Sequence, residues 1–383
     1  MKSKVGILTL HQITNYGGIL QAYALQRVIK SLGYDVEVIE KSMYCDSPSA
    51  IKKVFLYTWR IFQKKVLRKS IVIKKEEHQN ERIKLWYESA KLTLPFVEKH
   101  IRHRYVNSFD EIHSDEYRTI VVGSDQIWRP VYVEDVYMEI EDAFLSFARK
   151  WNVNRISYAA SFGSEEWEYT NEQTKKCKEL LSLFKAVSCR EDKGVEFCKQ
   201  HLDYPNAVTV LDPTLLLTKQ DYESLIGDNK ESLKGDLMTY VLDKNKKSDD
   251  IINYVAQKES LTPFSVKAKA SYNSNNAAME DKLQPPVEKW LQGFRDAKFI
   301  ITDSFHACVF AIIFRKPFVV CLNSDRGIAR YKTLLSKFNL EYRLVCEYNP
   351  QQIDAILKQP LKIDEVRLDD LRKESLNFLK SNL

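Results

Sequence analysis

Three observations predict an α/β protein of two Rossmann-like, doubly wound domains facing a cleft. Short β-branched and aliphatic runs alternate with segments of helical period, polar loops follow those runs, and 383 residues exceed one comfortable hydrophobic core. Lys4–Leu10 reads as a buried strand, and His11–Gly18 is a polar loop containing glycine. In Ile19–Leu32, Leu25, Val28, Ile29 and Leu32 recur at helical spacing, and Gly33 sits where a helix ends. Asp35–Glu40 returns as a strand and completes a β-α-β unit. The pattern resumes with strands at Thr119–Val122, Arg155–Ala160, Ala186–Cys189 and Ala207–Leu211, with a helix near 192–202. A second unit has strands at Leu237–Leu242, Phe264–Lys267, Phe299–Thr302 and Phe318–Leu322. Its helices fall at 248–259, after Pro285-Pro286 and at 305–314. The expected division is 1–180, 181–345 and a charged helical tail at 346–383 that crosses back to the first domain.

Hydrophobic content of 44% and charged content of 29% belong to a globular chain, and no segment has the ~20 apolar residues needed to cross a bilayer. MKSK runs into the strand-like VGILTL without the apolar stretch and cleavage site of a signal peptide. Seven cysteines (Cys45, Cys177, Cys189, Cys198, Cys308, Cys321 and Cys346) form no C-x-x-C pair, which predicts reduced, buried thiols and no structural zinc. These features predict a cytoplasmic protein.

The net charge of +6 is unevenly spread: residues 51–75 hold nine Lys or Arg and no Asp or Glu. Read as a helix, this stretch places Ile51, Val54, Phe55, Trp59, Phe62 and Val66 on one face, with Lys53, Arg60, Lys64 and Arg68 largely opposite. That is the pattern of a helix lying on an anionic membrane surface, or of an ordinary amphipathic helix packed on its own domain. No nucleic-acid motif accompanies the charge, so no nucleic-acid partner is expected.

Five loops carry candidate chemistry. In HQITNYGGIL, Gly17 and Gly18 precede a helix and would let backbone N–H groups approach an anion, or simply form a tight turn. Asn15 and Gln21 would hydrogen-bond a sugar or cap the helix. In GSDQIWRP, Ser124, Asp125 and Gln126 supply polar groups beside Trp128, a flat platform suited to a sugar ring or a buried core residue. Arg190 in SCRED would bind a phosphate or carboxylate, or pair with Glu191 and Asp192. In TDSFHACVF, Asp303 and His306 are three apart on a helical turn, and His306 would give or take a proton near neutral pH, or sit among its apolar neighbours as a satisfied core residue. Cys308 has apolar neighbours and reads as a buried thiol. In NSDRGIARY, Arg326 and Arg330 would form an anion clamp, or a solvated charge pair with Asp325.

Taken in order, VGILTLHQITNYGGILQAYALQ, VVGSDQIWRP, ISYAASFG, SCREDKGVEF, VLDPTLLL, the long PVEKWLQGFRDAKFIITDSFHACVFAIIFRKPF and RGIARYKTLLSKFNLE resemble the polysaccharide pyruvyltransferase family, from about residue 4 to about residue 343. The resemblance implies a GT-B-like two-domain fold, phosphoenolpyruvate as donor, no cofactor or metal, and a pyruvate ketal bridging two hydroxyls of a hexose. It places the family's His at His306 and its S-x-R-E arginine at Arg190. Ser304 stands where some members have Arg, and Ala307-Cys308 where relatives often have Gly-Thr. Arg326 or Arg330 would then replace the missing anion partner. The basic insertion at about 51–104 lies outside the recognisable core.

The expected assignment is therefore His306 and Asp303 for catalysis and Arg190, Arg326, Arg330 and Ser304 for the donor. Asn15, Gly17, Gly18, Gln21, Asp125, Gln126 and Trp128 are assigned to the acceptor, a glycan that is polymeric or lipid-linked. A basic segment would hold such an enzyme at the inner face of the cell membrane. The alternatives are a GT-B-type glycosyltransferase using a nucleotide sugar and a non-catalytic glycan-binding protein.

Overall fold

The computed structural model describes residues 4–44, 50–68, 72–133, 138–227, 233–322 and 327–383; Cys45 and Arg326 lie outside them. Each half is organised by a parallel sheet. The first contains β1 (Lys4–Leu8), β2 (Asp35–Lys41), β3 (His103–Val106), β4 (Thr119–Val122) and β5 (Asn154–Ser157) in the order β3-β2-β1-β4-β5. Val5 pairs with Val36 on one side and Thr119 on the other. β4 is buried at every position, as a strand covered by helices on both faces must be.

β6 (Ser188–Cys189) and β7 (Val208–Thr209) pair in parallel, and bridges Ile156↔Ala186 and Ala160↔Cys189 attach them to the first sheet. Arg190 therefore leaves the first sheet, not the second domain that a division at 180 assigns it to. The second sheet contains β8 (Leu237–Tyr240), β9 (Pro263–Phe264), β10 (Phe299–Thr302), β11 (Phe318–Cys321) and β12 (Leu344–Val345) in the order β12-β11-β10-β8-β9. Two such halves form the GT-B-like arrangement.

The helix after β1, α1 (Tyr16–Ser31), starts three residues earlier than its apolar period indicates, because the Asn15 side chain accepts from the Gly17 N–H and caps it there. The expected insertion resolves into α2 (Ala50–Lys65), α3 (Lys75–Ser89) and a helix Leu94–His100. Its last part belongs to the main fold: β3 pairs Val38 with His103, and Phe96 and Val97 are buried in the core. α3 buries Ile83 and Ser89 and presents Trp86 and Tyr87 to the core beneath it.

Of the described cysteines, Cys177, Cys189, Cys198, Cys308 and Cys321 are buried thiols outside any disulfide, whereas Cys346 is an exposed thiol. Among the described residues no helix is long and apolar enough to cross a membrane.

The C-terminal helix Glu365–Asn382 returns to the first half. Its Ser375 hydroxyl accepts from the Leu211 N–H at 3.0 Å, and Arg372 donates to the carbonyls of Leu215 at 2.7 Å and Leu217 at 3.1 Å. At its end, Asn154 and Thr119 donate to the carbonyls of Asn382 and Leu383. Leu379 is fully buried in this contact while Val366 is 72% exposed on the same helix. Leu379→Ala should lower the unfolding free energy by about 2–5 kcal/mol in denaturant titrations, and Val366→Ala should change it by less than about 0.5 kcal/mol.

Candidate active site

A cavity of about 370 Å³ opens between the halves. Thr14, Asn15, Gly17, Asp125 and Gln126 line it from the first half, and Tyr240, Tyr272, Lys282, Gln284 and Ser304 from the second. The loops after β1, β4, β8 and β10 thus meet at the carboxyl ends of their strands, where open parallel sheets place ligands.

Two helix N-termini converge there. α1 contributes Asn15 and Gly17; the helix Phe305–Ile313 is capped by Ser304, whose hydroxyl accepts from the Ala307 N–H at 3.5 Å. The two touch through Gly17 and His306: a Cβ on Gly17 would collide with Cγ and Nδ1 of the imidazole. Gly17 is required for this approach and not for a turn. A Cβ on Gly18 would meet Asn15 only at ordinary contact distance, 3.4 Å and beyond. Both helix dipoles place partial positive charge at the cavity.

Behind that contact lies a buried ion network. Arg190, at the end of β6, donates through Nη2 to Asp125 Oδ1 and through Nη1 to Asp212 Oδ2, each at 3.0 Å. Its guanidinium stacks 4.3 Å from the Phe305 ring centre. His306 Nε2 lies 3.4 Å from Arg190 Nη1 and 3.5 Å from Asp212 Oδ2. Asp212 Oδ1 accepts from the Thr214 hydroxyl at 2.6 Å and its N–H at 3.0 Å.

Burial opposes ionisation of both aspartates, but charge outweighs it. Arg190, then His306 and Arg330, hold Asp125 below the usual carboxylate range. His306, Arg190 and the Thr214 hydroxyl hold Asp212 far below it. Burial raises the neighbouring Glu191, against the pull of Arg190, and lowers Arg330 together with repulsion from Arg190. The seam is thus a charge-dense pocket in which a carboxylate, a guanidinium and an imidazole share one junction.

The structure brings together His306, Arg190 and Asp125, and puts Asn15, Gly17, Gln126 and Ser304 on the cavity wall. Arg190 is enclosed by two aspartates, so it orders the junction and does not present itself as a clamp. Arg330 is buried and sits 5.6 Å from the Phe305 ring.

Three expected roles meet other geometry. Asp303 precedes the helix, and its carboxylate accepts the backbone N–H of Leu242 at 2.7 Å and of Asp243 at 2.9 Å. Trp128 is fully buried, stacked 4.9 Å from Phe144, with its indole N–H on the Ala143 carbonyl, so it cannot serve as a sugar platform. Gln21 is also fully buried, tying Thr9, Gly18 and Ser124 together.

Sequence reasoning missed Asp212, although VLDPTLLL places an acidic residue directly after a strand. It also passed over Tyr272, Lys282 and Gln284 in a polar stretch without period. The N–H of Gln284 donates to the Ser89 carbonyl at 2.8 Å, and Tyr272 stacks on Trp86 at 6.0 Å, joining this stretch to α3. Among the described residues no group of His, Cys, Asp and Glu is arranged to hold a metal ion.

Charged side chains gathered where two parallel sheets present their strand ends mark a cleft enzyme. The model of the polysaccharide pyruvyl transferase family matches residues 15–325, and the chain belongs to that family. It is therefore a transferase of polysaccharide biosynthesis. No curated protein matches it. Among solved structures, a putative UDP-N-acetylglucosamine 2-epimerase from Listeria monocytogenes aligns over 99% of this chain and 95% of its own at 10% identity, with a TM-score of 0.48. The UDP-GlcNAc 2-epimerase of Methanocaldococcus jannaschii aligns over 95% and 94% at 12% identity, also at 0.48. Arabidopsis thaliana UGT89C1, complexed with UDP-L-rhamnose, aligns over 99% and 98% at 12% identity, at 0.46.

Gly17→Ala should displace His306 and lower kcat by about 10²-fold, whereas Gly18→Ala should stay near wild type. Asp125 and Asp212 have folded pKa values below their unfolded value of about 3.9, so their stabilisation is present above that pH and is lost as pH falls through the folded values. Asp212→Asn should cost about 3–5 kcal/mol at neutral pH. Followed by circular dichroism, the variant should lose less additional stability than wild type below about pH 4.

Proposed function

We propose that the cleft transfers a pyruvyl group from phosphoenolpyruvate to two hydroxyls of a hexose. The product is a pyruvate ketal on a cell-surface polysaccharide or its lipid-linked precursor. The observation that carries this reading is the placement of His306, against Asp212 and Arg190, at a seam where two helix N-termini face one cavity.

The donor brings a phosphate and a carboxylate and must be protonated on its methylene carbon. His306 delivers that proton, and the central carbon becomes electrophilic. One sugar hydroxyl adds to it and loses its proton, phosphate departs with its bonding electrons, and the second hydroxyl closes the ketal as its own proton leaves. Phosphoenolpyruvate and a diol thus become a ketal and inorganic phosphate, a balance that needs no redox partner or prosthetic group.

Ser304 and the two helix N-termini receive the donor's anionic groups. Arg330 adds positive field, with Arg326 as a further donor contact. Asp212 fixes the imidazole through its shared junction with Arg190. Asn15, Asp125 and Gln126 meet the acceptor hydroxyls, with Gln284 and Tyr272 on the facing wall. In this reading the enzyme works as a peripheral protein at the inner face of the cell membrane.

The test is phosphate release from phosphoenolpyruvate with galactosides, glucosides and N-acetylmannosaminides as acceptors. Release should depend on one acceptor class, and His306→Ala should lower it by about 10²–10⁴-fold. Absence of release with every acceptor, or a His306→Ala enzyme of normal rate, would contradict the reading.

A further inference from the structure

α2 is turned inside out relative to an ordinary surface helix. Its inward edge is Leu56, Tyr57, Arg60 and Gln63, all half-buried. That edge is fastened to α3 by polar contacts: Arg60 pairs bidentately with Glu76 at 2.7 and 2.8 Å, and the Tyr57 hydroxyl donates to Glu77 at 3.0 Å. The apolar edge faces outward. Phe55 is 73% exposed, Trp59 50% and Phe62 43%, with Val54 and Val66 beside them. None of the described α2 side chains joins the hydrophobic core, so the helix lies on its own domain by its polar edge and leaves its aromatic edge uncovered.

The cations around this face are equally uncommitted. Lys52, Lys64, Lys65 and Arg68 are exposed and make no ion pair with any described residue. No Asp or Glu occurs between residues 51 and 75. A protein partner of ordinary composition would meet the aromatic edge with an apolar surface but leave these cations unanswered. An anionic bilayer answers both, since acyl chains take the aromatic side chains and headgroup phosphates take the flanking cations.

We propose that α2 is a bilayer-docking helix whose aromatic edge, Phe55, Trp59 and Phe62, enters the interface of an anionic membrane while Lys52, Lys64, Lys65 and Arg68 engage lipid phosphates. The helix that anchors it reaches the cavity at its other end. Ser89 of α3 lines the cavity, and the Trp86 N–H donates to the Thr14 hydroxyl at 2.8 Å beside Asn15. One helical hairpin therefore joins the docking face to the acceptor wall. Relevance to a lipid-linked acceptor rests on the pyruvyl-transfer reading; the docking itself does not.

The experiment is flotation of the full chain with vesicles of phosphatidylcholine, with and without phosphatidylglycerol. Binding should require the anionic lipid and should fall by more than about tenfold as salt rises from low to molar concentrations. Trp59 emission should shift to shorter wavelength on binding. Phe55→Ser/Trp59→Ser/Phe62→Ser and Lys64→Glu/Lys65→Glu should each lose vesicle binding by at least about tenfold, with wild-type circular dichroism, because none of these side chains supports the core. Both variants should keep the wild-type rate on a soluble glycoside. Equal binding to neutral vesicles, or full binding by either variant, would overturn the proposal. So would a dimer in solution that the aromatic variant dissolves, which would make a second copy the occupant. Vesicle binding without any pyruvyl transfer would leave the docking surface standing and remove only the proposed reaction.

Discussion

A guanidinium enclosed by protein has to be neutralised where it lies, and Arg190 meets that requirement by holding Asp125 and Asp212 at once. The two carboxylates come from loops after different strands, and Arg190 comes from a third. The pairing therefore pins three strand ends of the first half in one geometry. Phe305 covers the guanidinium, and His306 follows it in the chain, so the second half is registered on the same point. Gly17 lets α1 press against the imidazole. The seam between the halves is thereby built from charge at its centre, with apolar contacts such as Tyr16 on Trp290, 5.1 Å apart, beside it. A cleft enzyme needs two surfaces held in register, and this network supplies that register at the point where chemistry is expected.

Much of the fold was legible because buried parallel strands leave a strong signal. Thr119–Val122 and Phe299–Thr302 were placed to the residue, since each is an apolar run ending in a polar turn. β3 escaped notice: HRYV has no apolar run, and as the edge strand of its sheet it is only partly covered. The boundary at 180 missed for another reason. Whether a strand such as Ser188–Cys189 joins the preceding or the following sheet is decided by long-range pairing, here to Ile156 and Ala160, which local pattern does not encode.

The site was legible in position more than in role. Placing polar groups at strand ends pointed to Asp125, Arg190 and His306, which the structure brings to one junction. It misjudged Asp303, because closeness in sequence to His306 says nothing about which backbone amides a carboxylate will accept. The real carboxylate neighbour of His306 is Asp212, distant in sequence and brought in by the β7 loop. Trp128 and Gln21 show the same limit: an aromatic ring or an amide near a cleft reads alike whether it faces ligand or core, and only packing separates the two. The basic segment was the reverse case. Its charge and aromatic pattern were plain, and the structure decided which edge of the helix faces outward.

If the donor reacts at the His306 seam, a crystal structure of the chain soaked with phosphoenolpyruvate will show it bound there. The donor should lie between the N-termini of α1 and of the helix Phe305–Ile313, with its methylene carbon within contact of the His306 imidazole. Phosphoenolpyruvate bound elsewhere in the cavity, out of reach of His306, or a seam that binds no donor at all, would contradict it.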